Sequence, residues 1–331
     1  MKKTIRIYFT DFWSNFIKED NFFLWAIKEK YDVILDKETP EYLIYSMFGD
    51  DNINYDCVKI FFCGENVRVN YKNCDWSISS DYIDNERHYR LPIYYYMCGD
   101  INHATESKPA IDAIVREKTG FCNFVYSNPS CKKRNDFFHT LSKYKRVDSA
   151  GRHLNNMQMN VDNKMDFIKN YKFTIAFENS EYPGYTTEKL LEPLLAHTIP
   201  IYWGNPLVAN DFNTKAFLSY YDFPDEQALI NRIIEIDNDD ELLAQYLIEP
   251  IFVDNKVNLY VDKANFVAFF EKIFTTEITQ IANKIYSKPT PIKHLLLLLK
   301  HIEWQTFFFL FRLKNYRPSK TIYRLKKKLL K

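Results

Sequence analysis

The chain has 331 residues, 46% of them hydrophobic and 26% charged, a balance that places it among globular proteins with length for about two domains. Its seven glycines form neither a GxGxxG nor a Walker pattern, which excludes the ordinary dinucleotide and P-loop phosphate sites. The net charge of +1 conceals a division: residues 288–331 carry 12 Lys/Arg against Glu303 alone, a local charge of +11, and the rest of the chain carries −10.

In chain order, IRIYF (5–9) alternates as a first strand, residues 21–30 read as an amphipathic helix, and DVIL (32–35) as a second strand. EYLIYSMF (41–48) and CVKIFFC (57–63) are two further apolar runs. The basic opening, MKKTIRIYF, passes straight into strand-like residues without the apolar core and cleavage site of a signal peptide. A second alternation starts with FCNFVYS (121–127) and a helix over 131–144. It continues through the strand YKFTIAF (171–177), a helix opening at Thr186 or Thr187, the strand TIPIYWG (198–204), and helices over 225–235 and 240–248. Strands alternating with helices predict parallel α/β sheets. The polar run around residue 115 divides the chain into domains at 1–115 and 116–280, with a tail at 281–331. The six cysteines (57, 63, 74, 98, 122 and 131) form no CxxC pair, so reduced thiols and a cytoplasmic location are expected.

The tail after Pro289 is apolar but interrupted by Lys300, His301 and Glu303, which argues against a membrane span. On a helical wheel KTIYRLKKKLLK sets Ile322, Tyr323, Leu325 and Leu329 against Lys320, Arg324, Lys327, Lys328 and Lys331. That pattern predicts a basic amphipathic helix lying on an anionic membrane surface, the alternative being a helix packed on the acidic body.

The segment GYTTEKLLEPLLAHTIPIYWGNP (184–206) holds the chemistry. Lys189 falls in the first helical turn, where the peptide dipoles disfavour a cation by a few tenths of a kcal/mol. A diphosphate at the helix N-terminus would reverse that penalty, because such termini attract anions. Glu188 would then accept hydrogen bonds from ribose or sugar hydroxyls; a solvated Glu–Lys pair is the plain alternative. SNPSCKKRNDFF (127–138) repeats the strand–turn–helix arrangement and offers Arg134, whose planar fork can grip two phosphate oxygens. DNDDE (237–241) superficially resembles a metal-binding DxD, but it precedes LLAQYLI and reads as a helix cap, so no metal is expected.

FENSEYPGYTTEKLLEPLLAHTIPIYWG (177–204) resembles the signature of the inverting α-1,3/4-fucosyltransferases. SNP…RNDFF and VDSAGRHLNN (147–156) are similar to that family's blocks and follow in its order, and FFCGEN (61–66) and YRLPIYY (89–95) resemble its bacterial members. The resemblance covers roughly residues 1–275. It implies a GT-B fold, two Rossmann-like domains facing across a cleft, with an acceptor-binding N-terminal domain and a C-terminal domain holding GDP-fucose. It also implies that Asn179, Tyr185, Glu188 and Lys189 line the donor site, that Arg134 and Lys189 face the diphosphate, and that Glu65 is the general base. The sequence departs at Val69 in GENVRVN, where bacterial relatives often carry Pro. The expected reaction is fucosyl transfer to N-acetylglucosamine, at O3, in a Gal-GlcNAc glycan of lipopolysaccharide or glycolipid. It would proceed without metal, cofactor or nucleic acid, on the inner face of the cytoplasmic membrane through residues 289–331. A GT-B transferase using another nucleotide sugar, or a catalytically silent sugar-nucleotide-binding protein of the membrane surface, are the alternatives.

Overall fold

The computed structural model describes residues 2–98, 101–159 and 161–277. The tail, residues 281–331, and the lipid-facing helix expected there lie outside the described residues. Two parallel sheets organise the chain. The first joins β1 (Lys3–Thr10), β2 (Tyr31–Leu35), β3 (Tyr42–Tyr45), β4 (Val58–Cys63), β5 (Trp76–Ser79) and β6 (His88–Arg90) in the order β2-β1-β3-β4-β5-β6. The second joins β7 (Gly120–Phe124), β8 (Val147–Ser149), β9 (Tyr171–Phe177), β10 (Ile199–Trp203) and β11 (Leu218–Ser219) in the order β11-β10-β9-β7-β8. Every adjacent pair is parallel. Such strands need both faces covered, which is why β10 reads as an unbroken apolar run and β4, apolar but for Lys59, is likewise buried along its whole length.

Nine helices are described: α1 (Phe22–Ile27), α2 (Ile93–Met97), α3 (Ile111–Glu117), α4 (Lys132–Leu141), α5 (Lys164–Ile168), α6 (Glu188–Leu195), α7 (Glu226–Asp237), α8 (Asp240–Ile248) and α9 (Lys263–Thr275). Six of them start at side-chain caps: for example, Asn21 accepts from the Leu24 amide, Asp225 from Ala228, and Asp239 from Glu241 and Leu242. The DNDDE run thus supplies a helix cap.

Two helices cross between the sheets. Phe266, Val267, Phe269, Phe270, Ile273 and Phe274 of α9 enter the core of the first sheet beside Phe23 and Leu24 of α1, although the sequence boundary grouped residues 116–280 together. Conversely, Tyr94 of α2 joins Leu190, Leu191, Leu194, Tyr202 and Phe212 on the face of the second sheet. Amphipathic periodicity shows that a helix has an apolar stripe but not which sheet the stripe will cover.

In each sheet the strand order reverses once, between β1 and β3 in the first and between β7 and β9 in the second. Ligands of open α/β sheets gather beyond the carboxyl ends of the strands at such reversals. The connections after β7 and β9 carry Arg134, Asn179, Tyr185, Glu188 and Lys189, and Glu65 follows β4.

Candidate active site

β9 ends at Phe177, and the next residue, Glu178, is fully buried. Its carboxylate accepts from the Thr187 amide (2.8 Å) and from the Thr187 hydroxyl (2.8 Å to Oε2). Thr187 in turn caps α6, its Oγ1 accepting from the Lys189 amide (3.3 Å) and from the Lys189 ammonium (3.0 Å). Lys189 Nζ lies 3.4 Å from Glu178 and 3.1 Å from Glu188. Burial opposes the Lys189 charge, but the Glu178 and Glu188 carboxylates outweigh it and hold the ammonium protonated. Burial also pushes Glu188 up, and Lys189 and Lys164 more than offset it, leaving that carboxyl below its ordinary value.

Arg134 projects from the first turn of α4 and has no solvent exposure. Nη1 donates to the Phe177 carbonyl (3.2 Å) and to Asn179 Oδ1 (3.0 Å), and Nη2 to the Asn128 carbonyl (2.7 Å). The guanidinium stacks 3.8 Å from the centroid of the Tyr126 ring. Nε lacks a partner, and no ion pair with a carboxylate occurs at Arg134 among the described residues. A buried guanidinium with only neutral partners is a poor resting arrangement, since isolated buried charge is costly. Tyr126 feels both cations: burial raises its phenol, and Arg134 and Lys189 both pull it back.

The loop after β9, residues 178–187, is fastened from beneath. Tyr182 donates its amide to the Gly204 carbonyl (2.9 Å), Gly184 its amide to Asn205 Oδ1 (2.8 Å), and the Trp203 indole its N–H to Glu181 (2.9 Å). Gly184 adopts φ +91°, and a Cβ there would meet the Ser80 carbonyl oxygen at 2.2 Å, so glycine is required on both counts. Ser80 belongs to the first sheet's side, so the loop is wedged against the opposite half of the cleft.

Glu65 follows β4 by two residues, and the Cys63 thiol donates to its carbonyl (3.1 Å). Burial raises the Glu65 carboxyl, while Lys189 lowers it and Glu188 raises it again, so the carboxylate from the first sheet lies within electrostatic reach of the α6 N-terminus. Tyr185, 2% exposed, feels both Glu178 and Glu65; burial is the main cause of its raised phenol. Glu65, Tyr185, Glu188 and Lys189 are thus near enough to influence one another's charge, and Arg134 is bonded to Asn179 in the loop after β9.

Sequence reasoning missed Glu178, Thr187 as the bridge between Glu178 and Lys189, and Tyr126 as the platform under Arg134. A charged residue directly after a buried strand was the available signal for Glu178. Among the described residues no group of three His, Cys, Asp or Glu side chains is placed to hold a metal ion, and no helix is long and apolar enough to cross a membrane.

Comparison with known proteins gives a consistent picture. Residues 7–97 match the α-(1,3)-fucosyltransferase FucT N-terminal domain, and residues 115–248 match the C-terminal domain of glycosyltransferase family 10, the fucosyltransferases. The α-(1,3)-fucosyltransferase FucT of Helicobacter pylori is 32% identical over 254 residues, which are 66% of this chain and 53% of that protein. The chain thus spans about half the length of that curated relative. A crystal structure of an α1,3-fucosyltransferase with GDP-fucose superposes with a TM-score of 0.72 at 26% identity, covering 84% of this chain and 92% of that one. Another crystal structure of an α1,3-fucosyltransferase gives 0.73 at 28% identity, over 83% and 91% of the two chains. With both domain models matched in order and the two-sheet architecture shared, this chain belongs to the α-1,3/4-fucosyltransferase family.

Proposed function

We propose that this protein transfers fucose from GDP-fucose to O3 of N-acetylglucosamine in a Gal-GlcNAc glycan, with inversion at the anomeric carbon. The observation that carries this reading is Arg134, a fully buried guanidinium without a carboxylate partner among the described residues. The diphosphate of a nucleotide sugar supplies the missing counter-charge. Lys189 and the amino end of α6, which closes the 178–187 donor loop, would complete the anion site; Lys189 shares with Arg134 an electrostatic pull on Tyr126. Asn179 and Tyr185 border that site, and Glu188 is suited to accept from ribose hydroxyls.

In the proposed step the bond between fucose C1 and the β-phosphate oxygen breaks, and its electron pair leaves with GDP. The acceptor oxygen forms the new bond to C1 from the opposite face, and its proton passes to Glu65. Arg134, without a carboxylate partner, opposes the charge growing on the diphosphate, and Lys189, already shared between Glu178 and Glu188, adds to that opposition. The raised carboxyl of Glu65 makes it a better proton acceptor than an exposed glutamate, an advantage of the kind general bases exploit. Acceptor binding at the first sheet is favoured by its own strand reversal, where Trp13 and the half-exposed Phe48 meet edge to face at 6.3 Å. Aromatic faces of that kind suit the apolar face of a pyranose.

Incubating the full chain with GDP-fucose and a Gal-β-GlcNAc acceptor should release GDP and yield a product whose new linkage nuclear magnetic resonance assigns to O3. Glu65→Gln should lower turnover by about 10²–10⁴-fold while retaining GDP-fucose binding. Binding without turnover on any acceptor would instead identify a silent nucleotide-sugar protein, and turnover with a different nucleotide sugar would reassign the donor.

The products would be Lewis-type structures on lipopolysaccharide or glycolipid, made at the inner face of the cytoplasmic membrane. The +11 charge of residues 288–331 supports attraction to anionic lipid. Deleting residues 289–331 should move the protein from vesicles containing anionic lipid into the supernatant; unchanged sedimentation with those vesicles would rule out the anchor.

A further inference from the structure

The loop that carries Glu65 and the loop that carries Asn179 are tied directly to one another. Asn66 donates Nδ2 to Ser180 Oγ at 2.7 Å, across 114 residues of sequence. Arg68 lays its guanidinium on the Tyr182 ring, 3.5 Å from the centroid. The same guanidinium is paired with Asp81, in the segment after β5, and donates to Asn66 Oδ1. One unbroken path therefore runs from Glu65 to its neighbour Asn66, across to Ser180, to its neighbour Asn179, and on to Arg134.

We propose that Asn66 and Arg68 form a clasp that sets the spacing between the base on the first sheet and the donor loop on the second. This rests on the reading of Glu65 and the donor loop given above, and neither clasp residue is assigned contact with the reacting atoms. They are positioning residues. Inverting transfer needs the acceptor oxygen, C1 and the departing oxygen in line, with the reacting atoms about 3–3.5 Å apart. The base and the leaving-group cations come from different sheets, so that line depends on how the two loops are held together.

The location of the clasp favours positioning over stability. The Arg68 side chain is 36% exposed while Asp81 is 7% exposed. An ion pair with one wet partner contributes little to folding. The flat guanidinium fits Tyr182 and Asp81 at once, a double contact that a lysine ammonium cannot reproduce. Loosening the clasp would let water compete with the acceptor for C1, because closure of the site is what excludes it.

The test uses the full chain with GDP-fucose and a Gal-β-GlcNAc acceptor, measuring kcat, both KM values, and the ratio of free fucose released to fucose transferred. Arg68→Ala should lower kcat by about 10- to 100-fold and leave the KM for GDP-fucose within about twofold, with a raised ratio of hydrolysis to transfer. Arg68→Lys should recover part of the loss, and Arg68→Ala combined with Tyr182→Ala should be no worse than Arg68→Ala alone. A variant with wild-type kcat and ratio overturns the clasp. So does a fall in kcat that tracks lost thermal stability with the ratio unchanged. A wild-type chain that consumes no GDP-fucose with any acceptor overturns the donor reading, and the clasp's catalytic role with it. Wild-type turnover beside a fully active Arg68→Ala overturns the clasp alone.

Discussion

A lysine in the first turn of a helix faces the positive end of the peptide dipoles, and Lys189 is also largely stripped of water, with its side chain 13% exposed. Two carboxylates make the position tenable: Glu188 beside it and Glu178 beneath it. Glu178 has a second task, since it also accepts from the Thr187 amide and thereby satisfies an N–H that the helix leaves free. Lys189 is thus held in place by the protein's own carboxylates. At His88 burial works in the opposite sense. Its ring sits between the Ser77 hydroxyl (2.8 Å) and the Asp81 carbonyl (3.0 Å), and burial pushes its pKa down from 6.5 to about 4. The unfolded chain therefore binds a proton at a pH where the folded chain does not. Stability is complete above about pH 6.5 and declines as the pH falls toward 4, by up to about 1.4 kcal/mol per unit from this residue. Urea unfolding at a series of pH values should show that slope in the wild type and a shallower one in His88→Gln. Parallel slopes would mean that His88 titrates alike in both states.

At the level of elements, the legible parts were those whose burial is written into consecutive residues. The interior strands β3, β4, β7, β9 and β10 stand in the sequence as largely apolar runs because parallel interior strands are covered on both faces, and β1 stands out by the alternation of IRIYF. The strands that escaped, β5, β6, β8 and β11, have four, three, three and two residues, too short for a periodicity to emerge. α2 and α9 carry clear apolar stripes, but their exchange between sheets depends on chain paths that periodicity does not encode. The site divides in the same way. Arg134 and Lys189 stood out as cations near a helix start beyond a strand, and the anions that Lys189 meets are Glu178 and Glu188. Glu178 did not stand out, because its purpose depends on Thr187, nine residues later, folding back over it. The contact between Asn66 and Ser180 lies further still from local reading, since only the packing of one sheet's loops against the other's brings those amino acids together.

For the molecule as a whole, the cleft has a fixed side as well as a clasped one. Arg90, the last residue of β6, forms a bidentate pair with Asp211, Nη1 to Oδ1 at 2.8 Å and Nη2 to Oδ2 at 2.5 Å, with the two side chains 3% and 0% exposed. Its Nε donates to the Ser80 carbonyl (3.2 Å), and the Tyr82 and Tyr260 rings flank the guanidinium at 4.1 and 4.9 Å. Asn258 adds a hydrogen bond to Asp211 at 2.6 Å. Ser80 is also the backbone on which Gly184 of the donor loop rests, so this pair supports the site while it joins the two halves. A dry pair differs from the half-wet one at Arg68. Removing either partner leaves a buried charge alone, a loss of about 3–5 kcal/mol, whereas replacing both with apolar side chains of similar volume costs far less. Arg90→Met and Asp211→Leu should each lower the denaturant midpoint sharply, and the double variant should recover most of the difference. The double variant should also show a larger loss of transfer than of stability, because an apolar contact holds the halves together without the directional bonds that fix their angle. If the two single losses simply add, the pair is not coupled and the orientation of the halves must be set by the apolar contacts of α2 and α9 instead.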